Sequence, residues 1–209
     1  LLLNKSNLVQ ESKIHIIPNG FDEDDFLVSS KNNNNKFLLS YVGTITKDYP
    51  LDFIKNSISN LNINLEFTGK ADEPTKLLLN EVASFNNHVK HKESINLLLA
   101  SDMLLLVIPK ISNNKGILTG KLFEYLGARK PILCIGPTDG DAAKIIEECK
   151  AGKTFDYSDE NGIYDFIETY MSNEFIFENK NYLKYSRRNL TKNLSKILTD
   201  KADHRKLLW

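Results

Sequence analysis

Two short apolar runs, "MLLLVI" at Met103 to Ile108 and "ILCI" at Ile132 to Ile135, are separated by "TGKLFEYLGAR", whose apolar residues fall at three-and-four spacing. The runs have the length of strands and the segment between them the periodicity of a helix with one buried stripe. The same alternation recurs along the chain, and alternating strand and helix is the pattern of a parallel sheet covered by helices. The expected strands are Ile14 to Ile17, Phe37 to Val42, Asn64 to Thr68, His88 to His91, Met103 to Ile108, Ile132 to Ile135 and a weaker Lys153 to Phe155. The expected helices include "PLDFIKNSISNL", "EPTKLLLNEVASF", "ESINLLLAS", "TGKLFEYLGAR" and "DGDAAKIIEECK". The pattern predicts a doubly wound α/β domain.

The chain has 209 residues, enough for one good core with an appendage. Its 27 Lys and Arg balance 27 Asp and Glu, so no global positive field exists to hold nucleic acid, and any anion site must be local. Cys134 and Cys149 have neither metal-ligand nor disulfide-framework spacing, which fits a reducing compartment; the cytoplasm is expected. No apolar run reaches the roughly 18 residues of a membrane-spanning helix, and no signal peptide is evident. The sequence starts without methionine and in mid-pattern, so a fragment is expected. The polar stretch "VSSKNNNNKF" reads as a boundary. Residues 1–30 are taken as linker and edge of a missing half, 31–178 as the main domain, and 179–209 as a terminal helix.

The segment "NNKGILTGKLFEYL" concentrates the chemistry. A Walker A loop needs four residues between its glycines and Ser or Thr after the lysine. Here three residues separate Gly116 from Gly120, and Leu122 follows Lys121, so that reading fails. A more general anion site remains: backbone N–H groups at Thr119, Gly120 and Lys121 open a helix whose dipole favours negative charge. Glu124 lies one turn on, on the same face as Lys121. It would repel a phosphate, but it can accept hydrogen bonds from two ribose hydroxyls. An ordinary surface ion pair at helical spacing is the plain alternative. The position after a strand's carboxyl end favours the ligand site.

"HIIPNGFDEDDF", "YVGTITK", "LEFTGKA" and above all "SDMLLLVIPKISNNKGILTGKLFEYLGARKPILCIGPTDGDAAKIIEECKAG" resemble the carboxy-terminal half of a GT-B glycosyltransferase, most closely the bacterial group-1 (family 4) enzymes that build surface polysaccharides. The resemblance spans nearly the whole chain. It implies a Rossmann-like parallel sheet with helices on both faces, binding a nucleoside diphosphate sugar of UDP or GDP type, with the acceptor held by a missing amino-terminal domain. On this reading Glu124 grips the ribose, the amides of Thr119 and Gly120 with the Lys121 ammonium meet the diphosphate, the missing Cβ of Gly43 lets the phosphates and sugar pass, and Thr44 and Leu122 are further donor-binding residues. Val89 and Lys90 present backbone groups to the base. Lys121 and Lys47 are the catalytic cations. No metal and no other cofactor are expected. Departures are Thr44 where many relatives carry arginine, and Gly116 where many carry a glutamate eight positions before the ribose glutamate.

Other residues have plainer readings. His91 is taken as a polar loop residue, Asn19 and Gly20 as a structural turn, and Asp139 and Asp141 as helix-capping groups ahead of sugar contacts. The basic terminal helix, with Lys184, Arg187, Arg188, Lys192 and Lys196, is expected to dock on the missing domain, with membrane-surface attraction as the alternative. The implied activity is retaining glycosyl transfer in capsule, O-antigen or exopolysaccharide synthesis. The isolated chain is expected to bind donor but barely turn over. A sugar-nucleotide 2-epimerase and a non-catalytic nucleotide-binding module are the rival readings.

Overall fold

The computed structural model describes residues 14–27, 36–173, 175, 177 and 180–206. Six parallel strands form one sheet: β1 Phe37–Val42, β2 Ile63–Thr68, β3 Ala83–Asn86, β4 Met103–Val107, β5 Ile132–Ile135 and β6 Gly152–Phe155. Their spatial order is β3-β2-β1-β4-β5-β6. The helices are α1 Asp52–Ile58, α2 Glu73–Leu79, α3 His91–Ala100, α4 Gly120–Ala128, α5 Asp141–Glu148, α6 Glu160–Ser172 and α7 Arg187–Lys206. This is the expected doubly wound, Rossmann-like architecture.

The two-residue period of a strand divides the core. Leu104, Leu106 and Ile108 point to one face, with Leu98 of α3, Leu122 and Leu126 of α4 and Ile146 of α5. Met103, Leu105 and Val107 point to the other, with Ile54 of α1, Leu79 of α2 and Ile163 of α6. β4 is buried along its whole length, so it reads as a continuous apolar run. Each such side chain contributes about 1.5–3 kcal/mol by leaving water.

Two expected strands are corrected. Residues 14–17 form no strand; Ile16 is 65% and Ile17 37% exposed, and the nearest pairing is an isolated bridge between Phe21 and Ser186. The third strand lies at 83–86, not at 88–91. Leu78, Val82 and Phe85 have helical spacing, which prolonged the expected helix through the strand. In the structure α2 stops at Leu79, and Phe85 stacks on Phe67 of β2 with ring centroids 5.2 Å apart. Residues 87–90 are thereby left as a loop at the carboxyl end of β3.

The expected boundaries at 30/31 and 178/179 fall among, or next to, residues outside the described set. The start of the terminal segment packs on this same domain. The Arg187 N–H donates to the Phe21 carbonyl at 2.8 Å, and Tyr182 stacks on Phe21. Gly20 is needed there, because a Cβ would lie 2.3 Å from the Tyr185 carbonyl oxygen.

Candidate functional site

The strand order reverses between β1 and β4, the topological switch point at which open α/β sheets leave a crevice beyond the strands' carboxyl ends. β1 and β4 pair only through Leu39–Met103 and Ser40–Leu104. Beyond that they splay, and the Tyr125 hydroxyl from α4 fills the gap. It accepts from the Val42 N–H at 3.4 Å and donates to the Leu105 carbonyl at 3.2 Å. Tyr125 is fully buried, so these bonds fix α4 against both strands.

A cleft of about 520 Å³ opens here, lined by Val42 at the end of β1 and Gly43 after it, Thr68 of β2, His88 and Val89 after β3, His91 and Ser94 of α3, and Gly120, Lys121 and Glu124 of α4. Of the residues expected to hold a donor, Gly43, Val89, Gly120, Lys121 and Glu124 come together in its wall. Thr119 caps α4 through its backbone while its buried hydroxyl has no hydrogen-bond partner. Thr44 and Lys90 are exposed beside the cleft, outside its lining. Leu122 is fully buried in the core and its N–H already donates to the Thr119 carbonyl at 3.2 Å. Neither its side chain nor its amide is therefore offered to a ligand. Lys47 also lies outside the lining, its N–H donating to Asp72 at 3.0 Å.

The amino end of α4 is electrostatically unlike the other helix starts around the sheet. α1, α2, α3, α5 and α6 each carry Asp or Glu in the first turn. α4 has neither an acidic residue there nor a side-chain cap, and its second residue is Lys121. Positive dipole and ammonium add instead of being offset. The lysine is half-buried: Nζ lies 5.2 Å from the centroid of the Tyr41 ring, and burial pulls its pKa below the ordinary value, opposed by Glu124. Glu124 is shifted upward, first by burial; His91, Lys121 and Arg187 oppose the shift and Asp25 adds to it. Both groups are held partly out of water, and each partly offsets the other's burial.

Gly43 has φ +135°, and a Cβ there would lie 2.3 Å from Cε of Lys121. Gly69, at φ +136°, faces the Gly43 carbonyl so closely that a Cβ would lie 2.2 Å from its oxygen. The two glycines let the ends of β1 and β2 converge beneath the cleft.

His91, expected as a polar loop residue, instead starts α3 and lines the cleft. Its Nε2 lies 2.9 Å from Oδ2 of Asp25. Asp139 pairs with Lys115, and Asp141 sits in the first turn of α5 near Lys144; neither lines the cleft. A Cβ at Gly116 would meet nothing within 4 Å. Among the described residues no three His, Cys, Asp or Glu side chains are grouped as metal ligands, and no helix is long and apolar enough to cross a membrane.

No protein-family profile and no curated protein sequence matches the chain. Solved structures do. A sucrose-phosphate synthase from Thermosynechococcus elongatus superposes with a TM-score of 0.69 at 11% identity over 91% of this chain and 53% of its own. The lipopolysaccharide outer core galactosyltransferase WaaB, in apo form, gives 0.69 at 10% identity over 95% and 58%. HepE from Anabaena, solved with UDP, gives 0.68 at 12% over 91% and 58%. The likeness is one of fold: the chain has the Rossmann-like fold of a GT-B glycosyltransferase half. It spans little more than half the length of these proteins.

Proposed function

We propose that this chain is the nucleotide-sugar-binding half of a glycosyltransferase. The observation that carries the reading is the junction of an uncompensated helix start, Lys121 and Glu124 in one switch-point cleft. The free N–H groups of α4 and the Lys121 ammonium meet the diphosphate, and the Glu124 carboxylate accepts from the ribose hydroxyls. The loop at His88 and Val89 meets the base. As the bond between sugar and phosphate breaks, negative charge grows on the departing diphosphate, and the fixed dipole and ammonium stabilise it where it forms. Gly43 lies beside that ammonium, Thr44 and Lys47 follow it on the loop after β1, and Lys47 is the second cation of this proposal.

The finer terms of the proposal are a UDP or GDP sugar, retention at the anomeric carbon, and transfer during bacterial surface polysaccharide synthesis on the cytoplasmic side, with peripheral membrane contact. UDP bound to HepE and the lipopolysaccharide role in WaaB's name support the donor and pathway terms. Acceptor binding is assigned to an amino-terminal domain of the same protein.

Titration calorimetry with UDP, GDP, ADP and dTDP tests the reading. One diphosphate should bind, and Glu124→Ala should weaken it by about 1.5–3 kcal/mol, as expected for lost hydrogen bonds to a charged group. Binding that is indifferent to this substitution in a folded protein contradicts it.

A further inference from the structure

Asp25 and His91 are 66 residues apart in sequence, yet Nε2 and Oδ2 meet at 2.9 Å on the rim of the cleft. Asp25 belongs to a 3-10 turn, Glu23–Phe26, whose Phe26 ring lies over α4: a Cβ at Gly127 would be 2.5 Å from its Cε2. That turn is thereby held against the helix that carries Glu124. The His91 side chain is 60% exposed and that of Asp25 36%. A pair so open to water contributes little to stability, of the order of 0–1 kcal/mol. Its effect is on the position of the imidazole, which faces the same space as Glu124 and is electrostatically coupled to it.

We propose that His91, fixed by Asp25, is a second ribose-binding residue beside Glu124; this rests on the donor-site reading above. Asp25 occupies Nε2, and among the described residues no hydrogen bond takes Nδ1. The Asp25 carboxylate accepts from Nε2–H, so Nδ1 is an acceptor in the neutral ring and a donor in the protonated one, and a ribose hydroxyl, which both donates and accepts, can satisfy either. Glu124 then accepts from the diol while His91 completes the bonding of one hydroxyl, and Asp25 acts as a positioning residue without touching the ligand.

The test uses the tightest binder among UDP, GDP and ADP, with its 2′-deoxy and 3′-deoxy forms. Affinities are measured on the full chain and on His91→Ala, Asp25→Asn and Glu124→Ala. The wild type should prefer the intact ribose, and His91→Ala should reduce that preference about threefold to tenfold, the span of one ordinary hydrogen bond. Asp25→Asn should reduce it in the same direction, and it carries the test if His91→Ala fails to fold. A purely structural role would weaken all three ligands equally and leave the ratios unchanged. If Glu124→Ala lowers the preference while the His91 and Asp25 variants do not, this proposal falls and the donor site stands. If the folded wild type binds no diphosphate, both fall.

Discussion

The Lys121 side chain lies in the space that Gly43 leaves free: a Cβ on Gly43 would sit 2.3 Å from Cε and 2.9 Å from Nζ. Glycine at the end of β1 thus permits both the positive φ of the turn and the resting place of the cation. Gly43→Ala should lower stability by roughly 1–3 kcal/mol from backbone strain alone. Adding Lys121→Ala removes the clash but not the strain, so the double variant should recover only part of the loss in a denaturant titration. Full recovery would show that the clash, and not φ, sets the cost.

Lys121→Met should separate stability from binding. Burial depresses this lysine's pKa in the folded state, so just below the ordinary lysine range the unfolded chain binds more protons. Stability conferred by the native fold therefore rises with pH through that window, and the cost of the buried charge is fully present at neutral pH. The Met variant should lose that upward slope in alkaline pH and be no less stable than wild type at neutral pH. Its diphosphate affinity should fall about tenfold or more, the scale of one charge-assisted hydrogen bond. Thermal melts across pH and calorimetry read the two effects.

Glu124 gives the opposite sign. Its carboxyl is raised above the ordinary glutamate value of 4.5, so above that value the folded protein holds the extra proton and stability falls as pH rises through the window. On the proposed function the nucleotide's ribose meets the carboxylate, so binding should weaken as pH falls through the same window. Glu124→Gln should remove the native-state slope, together with much of the affinity.

Tyr125→Phe removes one oxygen from the seam between the splayed strands. The Leu105 carbonyl and the Val42 N–H would each lose a bond. A cost of about 1–3 kcal/mol is expected for buried groups left unpaired. Chemical denaturation measures it, and a loss of nucleotide affinity should accompany it because α4 is held to β1 and β4 by this hydroxyl.

Gly116→Ala should do the reverse. The position has no positive φ and open space around a Cβ, so alanine should stabilise by about 0.4–1 kcal/mol through the unfolded chain. A melt that drops instead would contradict it.

The sheet was legible because its central strands are apolar on both faces and its helices are periodic. β4, α4 and β5 lie within a residue or so of their expected limits. β3 was misread because "LLLNEVASF" satisfies two periods at once; only contact with Phe67 decides for the strand. Lys121, Glu124 and Gly120 were legible because they are neighbours on one helix after one strand. Lys47 rests on the resemblance, as the cation expected shortly beyond Gly43; its amide meets Asp72 and it lies outside the lining of the cleft. Asp25 and His91 carried no local signal, since their relation arises from the packing of the 3-10 turn between α3 and α4. Tyr125 was hidden as one more large residue on an apolar face.

The central claim is that a nucleoside diphosphate sits between the start of α4 and the end of β1. Backbone amide resonances followed during titration with the diphosphate that binds tightest in calorimetry test it most directly. The account predicts the largest shifts at Gly43, Gly120 and Lys121, with a second group at Val89 and His91. Saturable binding whose shifts cluster away from the cleft and leave Gly43, Gly120 and Lys121 unmoved would contradict it.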